Sequence, residues 1–219
     1  MNSKQALIHT LLAYEVLQFG RFQTKSGRIS SIFFNTGNFC SGRSLGIFAE
    51  AFAQCIAEEF SQKEAILFGP AYKGIPLVTL VADRLQILRE EEVFFSYNRK
   101  EKKPHGEGGE LAGYNFRGGE KVIIVEDVLT AGTSIRESLR LLQERGLVVI
   151  GAVVGIDREE RGQGLKSARE EINEEFNLPV HSLLRLTEIL ALLPAGSPEQ
   201  LAQVAAYRQE RLVSCGLLA

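Results

Sequence analysis

The chain has 219 residues, of which 45% are apolar and 24% charged, a balance that suits one soluble globular domain and excludes a disordered chain. Gly and Pro together make up about an eighth of the residues, too few for a collagenous or low-complexity protein. The net charge of −2 lacks the basic excess of a protein that coats nucleic acid, yet leaves room for a local basic site that takes a phosphorylated small molecule.

In chain order, Leu7, Ile8, Leu11, Leu12, Val16 and Leu17 recur at helical spacing, interrupted by His9, Tyr14 and Glu15. They predict an amphipathic helix of a folded domain rather than a targeting signal. Residues 28–35 carry Ile29, Ile32, Phe33 and Phe34 and read as a short strand after a turn at Ser26 and Gly27. Residues 45–60 form an amphipathic helix. Residues 64–68 are a brief apolar strand ending in Gly69 and Pro70, followed by a Gly-containing loop and a helix over 77–85. Another strand covers 93–97.

Residues 99–119 are apolar-poor, hold six glycines, and place Arg99, Lys100, Lys102, Lys103 and His105 within seven residues. A buried-type strand follows at 121–125, then a helix over 135–145 closed by Gly146, a valine-rich strand over 147–156, and one more strand at 179–184. Helices over about 187–193 and 198–212 finish the chain. Strands alternating with helices mean βαβ units and an α/β fold with a mostly parallel sheet covered on both faces. Ligands of such sheets bind beyond the carboxyl ends of the strands, so function is expected after Phe68, Tyr97, Val125 and Ile156. No run approaches the ~18 apolar residues of a membrane span. The cysteines, Cys40, Cys55 and Cys215, are odd in number and far apart, as expected of reduced thiols in a cytoplasmic protein.

The most informative stretch is Val122, Ile123, Ile124, Val125, Glu126, Asp127, Val128, Leu129, Thr130, Ala131, Gly132, Thr133, Ser134, Ile135. An apolar strand delivers two adjacent carboxylates, then small and hydroxyl residues, then a helix. Main-chain N–H groups at a helix start, with Gly allowing close approach and hydroxyls adding donors, make an anion cradle. Carboxylates cannot serve a phosphate, but two cis ribose hydroxyls can each donate to one. A ribose 5-phosphate satisfies both halves. No lysine follows Gly132 as a Walker loop requires, and G-x-G-x-x-G is absent.

This stretch resembles the 5-phosphoribosyl 1-diphosphate (PRPP) loop of the type I phosphoribosyltransferases. Further blocks narrow the likeness: Thr24, Lys25 and Ser30 with Phe33, Phe34 and Asn35; Gly69 to Pro76 with Tyr72 and Lys73; Tyr97, Arg99, Lys100, Lys103, His105 and Gly109; and Asp157 with Arg158. In that order, over about residues 20–160, they resemble the orotate phosphoribosyltransferase family. Two departures stand out: Glu126 pairs with Asp127 where many relatives have two aspartates, and Ser31 and Ile32 stand where relatives often carry Pro and Tyr.

The resemblance implies a type I phosphoribosyltransferase fold in one domain spanning 1–219, with a small hood from about residues 1–40 and part of the C-terminal region. It implies transfer of ribose 5-phosphate from PRPP to orotate, with inversion and with Mg²⁺ as cofactor. The metal would be held through PRPP and water rather than by the protein directly. Lys103, His105 and Asp127 would be catalytic. PRPP would be bound by Lys25, Tyr72, Lys73, Arg99, Lys100, Lys103, His105, Glu126, Asp127, Val128, Leu129, Thr130, Ala131, Gly132, Thr133 and Ser134. Orotate would meet Phe33, Phe34, Thr130 and Arg158. The basic, Gly-rich segment would close over the neighbouring active site of a homodimer; no nucleic acid or membrane partner is implied. Two other readings remain open: a purine salvage phosphoribosyltransferase, and a PRPP-sensing regulator. The second should carry an extra basic segment, whereas the first twenty residues hold few cations.

Overall fold

A computed structural model describes residues 3–23, 29–99, 110–193 and Ala202. The N-terminal part is α1 (Ser3–Ala13), β1 (Leu17–Gln23), β2 (Ile29–Phe34) and a 3-10 turn (Thr36–Asn38). The main body follows as α2 (Gly42–Glu59), β3 (Ile66–Gly69), α3 (Gly74–Arg89), β4 (Phe95–Asn98), β5 (Leu111–Gly113) and β6 (Lys121–Leu129). It ends with α4 (Thr133–Gln143), β7 (Val148–Asp157), α5 (Ala168–Phe176), β8 (Val180–Arg185) and α6 (Leu186–Leu192).

Six strands form one sheet in the order β5-β4-β3-β6-β7-β8, while β1 and β2 pair as a separate antiparallel hairpin. All neighbours in the large sheet are parallel except β4 and β5. From β3 the chain winds outward to β4; from β6 it winds the opposite way to β7 and β8. The order therefore reverses between β3 and β6, and in an open sheet the crevice beyond the strand ends at such a reversal is where ligands sit.

Val122, Ile123, Ile124 and Val125 are all fully buried, as a central parallel strand covered on both faces must be. Their alternation feeds two cores. Ile123 and Val125 pack with Phe48, Phe52, Leu77 and Val81 of α2 and α3. Val122 and Ile124 pack with Ile135, Leu139 and Leu142 of α4 and Ile172 of α5. Truncating either isoleucine to alanine costs about 2–5 kcal/mol in such a setting. Ser41 caps α2: its hydroxyl accepts from Ser44 N at 3.1 Å, which satisfies an otherwise orphaned first-turn donor.

Four differences from the sequence reading have physical causes. The N-terminal helix stops at Ala13 because Glu15 takes a left-handed conformation (φ 52°), so Val16 and Leu17 serve the hairpin rather than the helix. Within residues 99–119, Leu111–Gly113 forms an antiparallel edge strand, pairing Tyr97 with Ala112. The central strand runs on to Leu129, because Val128 and Leu129 stay in register with Ile156 and Asp157 of β7; the acid pair thus lies within β6 and not in the loop after it. Helix α5, with few apolar residues, lacks an obvious periodicity. Its start is nevertheless written as a capping box, with Ser167 accepting from Glu170 N and the Glu170 side chain reaching back. Of the helix expected over 198–212 only Ala202 is among the described residues, and Cys215 lies outside them.

Candidate active site

The crevice between β3 and β6 is lined from both strand ends. After β3 the chain turns through Pro70, Ala71, Tyr72 and Lys73 into α3. The turn is tight enough that a Cβ on Gly69 would sit 2.3 Å from the Gly74 carbonyl oxygen and 2.7 Å from Val78; only glycine fits. A cis peptide joins Ala71 to Tyr72, and the Ala71 N–H donates to Asn98 Oδ1 at 2.7 Å, which pins the turn to the end of β4. Tyr72 and Lys73 stand exposed over the crevice rim, with 61% of Tyr72 open to solvent.

On the β6 side, Glu126 is buried and Asp127 nearly so. Glu126 accepts from the Ser134 hydroxyl. Burial pushes the Glu126 carboxyl up to about 8, and the charge of Asp127 beside it acts the same way, with the Ser134 hydrogen bond opposing both. Asp127 turns the other way: its Oδ1 accepts from Val128 N at 2.8 Å, and its Oδ2 accepts from the Thr36 hydroxyl. Lys73 Nζ lies 3.6 Å from the same Oδ2 and donates to Thr36 Oγ1 at 3.1 Å. The two acids thus differ in partner and in burial, although they are neighbours in sequence.

Beyond Leu129 the chain bends through Thr130, Ala131 and Gly132 into α4. Gly132 has φ 78°, a left-handed conformation that L side chains avoid, and a Cβ there would meet Ile172 Cδ1 at 2.8 Å. The first N–H groups of α4, starting at Thr133, have no intrahelical acceptor, and with the helix dipole they form a concave donor set for an anion. Helix α5 backs this bend. Besides Ile172, it supplies Glu171, which accepts from Arg136 of α4 at 3.0 Å and from the main-chain N–H groups of Gln163 and Gly164 at 2.7 and 2.6 Å. Glu175 also pairs with Arg136. The bend and the segment after β7 are therefore tied to one support.

A model of the phosphoribosyl transferase domain matches residues 42–180. The orotate phosphoribosyltransferase of Acinetobacter baumannii is 42% identical over 207 residues, 94% of each chain. That of Escherichia coli is 41% identical over 209 residues, 94% of this chain and 97% of its own. The chain belongs to the orotate phosphoribosyltransferase family. The crystal structure of the Francisella tularensis orotate phosphoribosyltransferase superposes with a TM-score of 0.80 at 34% identity, covering 94% of this chain and 98% of that one. The α/β architecture with a mostly parallel sheet is thus the family's fold.

Of the residues singled out from the sequence, Tyr72, Lys73, Glu126, Asp127 and the bend from Thr130 to Ser134 gather at the reversal between β3 and β6. Val128 is half-buried in β6, and Leu129 is buried in the core, so Leu129 offers only its main chain; its carbonyl accepts from Arg158 N at 3.1 Å. Phe33 and Phe34 point to opposite sides of β2. Phe33 is 40% exposed and stacks on Phe22 at 5.2 Å, while Phe34 is buried. The Arg158 guanidinium lies 5.9 Å from the Phe34 ring centroid and pairs with Glu160 at 2.7 Å, which places Arg158 beside the hairpin that carries both rings. Arg99 closes the β4–β5 hairpin by donating its N–H to Glu110 O at 2.7 Å. Lys25, Lys100, Lys103 and His105 lie outside the described residues. Sequence reasoning missed Thr36 and Asn98. Both act across long sequence separations, and only the polarity of Thr36 at the end of an apolar strand hinted at a role.

Proposed function

We propose that this protein is an orotate phosphoribosyltransferase: it transfers the 5-phosphoribosyl group of PRPP to orotate, giving orotidine 5′-monophosphate and diphosphate in pyrimidine nucleotide synthesis. The observation that carries this reading is the junction of an acid pair and an amide-lined bend at the strand reversal, in a chain with the family's motifs. A ribose 5-phosphate spans the two: its hydroxyls meet Asp127 and Glu126, and its phosphate meets the N–H and hydroxyl groups of residues 130–134.

The bond from the anomeric carbon to diphosphate breaks as the bond to the orotate nitrogen forms on the opposite face. Positive charge grows on the ribose ring and negative charge on the leaving group, so the protein's task is positioning and electrostatic stabilisation. The carboxylates of Asp127 and Glu126 lie on the ribose side. Tyr72 and Lys73, on the opposite lip, face the diphosphate. Arg99 stands at the base of the basic segment, from which Lys100, Lys103 and His105 would neutralise the departing diphosphate once the segment closes and excludes water. Lys25 would bind PRPP from the substrate end of the pocket. The planar Arg158 fork suits the orotate carboxylate or a carbonyl, with Phe33, Phe34 and Thr130 beside the ring.

Mg²⁺ fits the donor set. Among the described residues the crevice offers carboxylate oxygens, and Mg²⁺ prefers oxygen and retains waters. Asp127 and Glu126 would hold it through ribose hydroxyls and water, and when bound it supplies charge neutralisation at the diphosphate. We also propose that the protein works as a homodimer in which the basic segment serves the neighbouring site.

The test is direct. Protein incubated with PRPP, Mg²⁺ and orotate should deplete the orotate absorbance. Turnover of adenine or hypoxanthine with none of orotate would defeat the assignment.

A further inference from the structure

We propose that Thr36 is a positioning residue of this transfer reaction, its hydroxyl tying the Asp127 carboxylate to the Lys73 ammonium so that both are fixed for PRPP; the proposal rests on the activity proposed above. A threonine hydroxyl has one proton and two lone pairs. Here the proton is donated to Asp127 Oδ2, and a lone pair accepts from Lys73 Nζ at 3.1 Å. The direct Lys73–Asp127 separation is 3.6 Å, too long for a good hydrogen bond, so the hydroxyl is the closer link between cation and anion. Asp127 Oδ1 is held by Val128 N at 2.8 Å. With Thr36 in place, both carboxylate oxygens are directed.

The hydroxyl itself is held rigidly. Thr36 is buried, 8% exposed, and opens the 3-10 turn that follows β2. Phe39 N donates to Thr36 O at 3.1 Å, and Asn35 N donates to Val16 O at 2.8 Å. Asn38 Nδ2 donates to Glu15 O at 2.9 Å and Asn35 Nδ2 to Asn38 Oδ1 at 2.8 Å. The turn is thereby anchored to the N-terminal hairpin, which also carries Phe33 and Phe34. Two segments 37 and 91 positions from Thr36, the Lys73 turn and the acid pair, thus meet the hairpin turn at one oxygen. A buried hydroxyl in this place links the proposed orotate side of the crevice to its ribose and diphosphate side.

Isosteric replacement separates this role from packing. Thr36→Val keeps the shape and removes both hydrogen bonds, each to a charged group; Thr36→Ser keeps both and loses a methyl. Thr36→Val should raise the PRPP KM, and the PRPP Kd measured by calorimetry, about tenfold. The orotate KM at saturating PRPP should stay within about twofold, and Thr36→Ser should stay within about threefold of wild type on every constant. In a Lys73→Ala background, Thr36→Val should cost distinctly less than it does alone, because the relay has already lost one end. Thr36→Val with wild-type constants, Thr36→Ser as impaired as Thr36→Val, or full additivity with Lys73→Ala would each overturn the role. If Thr36→Val does not fold, Thr36→Ala takes its place under the same criteria. A wild-type protein that binds PRPP but leaves orotate unreacted would overturn the transfer reaction, while the calorimetric comparison still reads the relay.

Discussion

Glu126 makes stability depend on pH in an unusual direction. Its carboxyl, buried and next to the charge of Asp127, is raised from 4.5 to about 8. Below pH 4.5 the group is protonated in both the folded and unfolded chains, and its burial carries no ionisation penalty. Between pH 4.5 and 8 the unfolded chain releases the proton and the folded one retains it, so the fold loses stability as pH rises, until the folded group also ionises. At about 1.4 kcal/mol for each tenfold change in proton activity, the loss has a ceiling of about 5 kcal/mol. Glu126→Gln keeps the shape and an acceptor for the Ser134 hydroxyl and removes the titration. Urea denaturation of both proteins from pH 4 to 9 should give similar pH trends below about 4.5. Above it the difference should grow steadily in favour of the glutamine variant and level off beyond about pH 8. Curves that stay parallel over the whole range, or a glutamine variant that loses ground as pH rises, would show that Glu126 does not hold its proton.

Gly132→Ala forces a side chain onto φ 78° and places a Cβ 2.8 Å from Ile172 Cδ1; a loss of about 1–2 kcal/mol should appear as a lower Tm, accompanied by a raised PRPP KM, and an unchanged KM would remove the bend from the phosphate site. Arg158→Ala should raise the orotate KM chiefly, and an equal rise for both substrates would signal general damage. Mixing inactive Lys73→Ala and Lys103→Ala proteins should restore some activity through hybrid dimers; absence of recovery would place each site within one chain.

How far the sequence could be read depended on whether a feature was local. The β6 to α4 stretch was legible because its signal is contiguous: four buried apolar residues, two acids, small residues, then a helix. The reversal of strand order could not be read, because pairing β3 with β6 is settled by which hydrophobic faces α2, α3 and α4 cover, and each helix pattern is satisfied by either side of a sheet. Helix α5 is highly charged, so its evidence lay in the Ser167–Glu170 cap and not in apolar spacing. The edge strand β5 is short, and its pairing is set by the main chain of β4. Thr36 was hidden for a different reason: its partners are fixed only once three segments meet.

The arrangement also answers an electrostatic difficulty. A site that takes the polyanion PRPP against two adjacent carboxyl groups should repel its own substrate. Here the two acids stand in different surroundings, one sunk in the sheet with its carboxyl raised by burial and the other beside a lysine. Glu126, sunk into the sheet under Ser134, has its carboxyl pushed upward by burial and by the charge of Asp127. Asp127, nearly buried, has Lys73 within 3.6 Å. Seen from the crevice, burial disfavours charge on one acid and the other is faced by a cation, so the pair presents less negative charge to the incoming diphosphate than two solvated carboxylates would. The hydroxyl acceptors that the ribose requires remain in place nonetheless. The Glu126 side chain accepts from the Ser134 hydroxyl at the start of α4 while its main chain keeps the β6 register opposite Val154, so the acid pair and the amide-lined bend are held to one another.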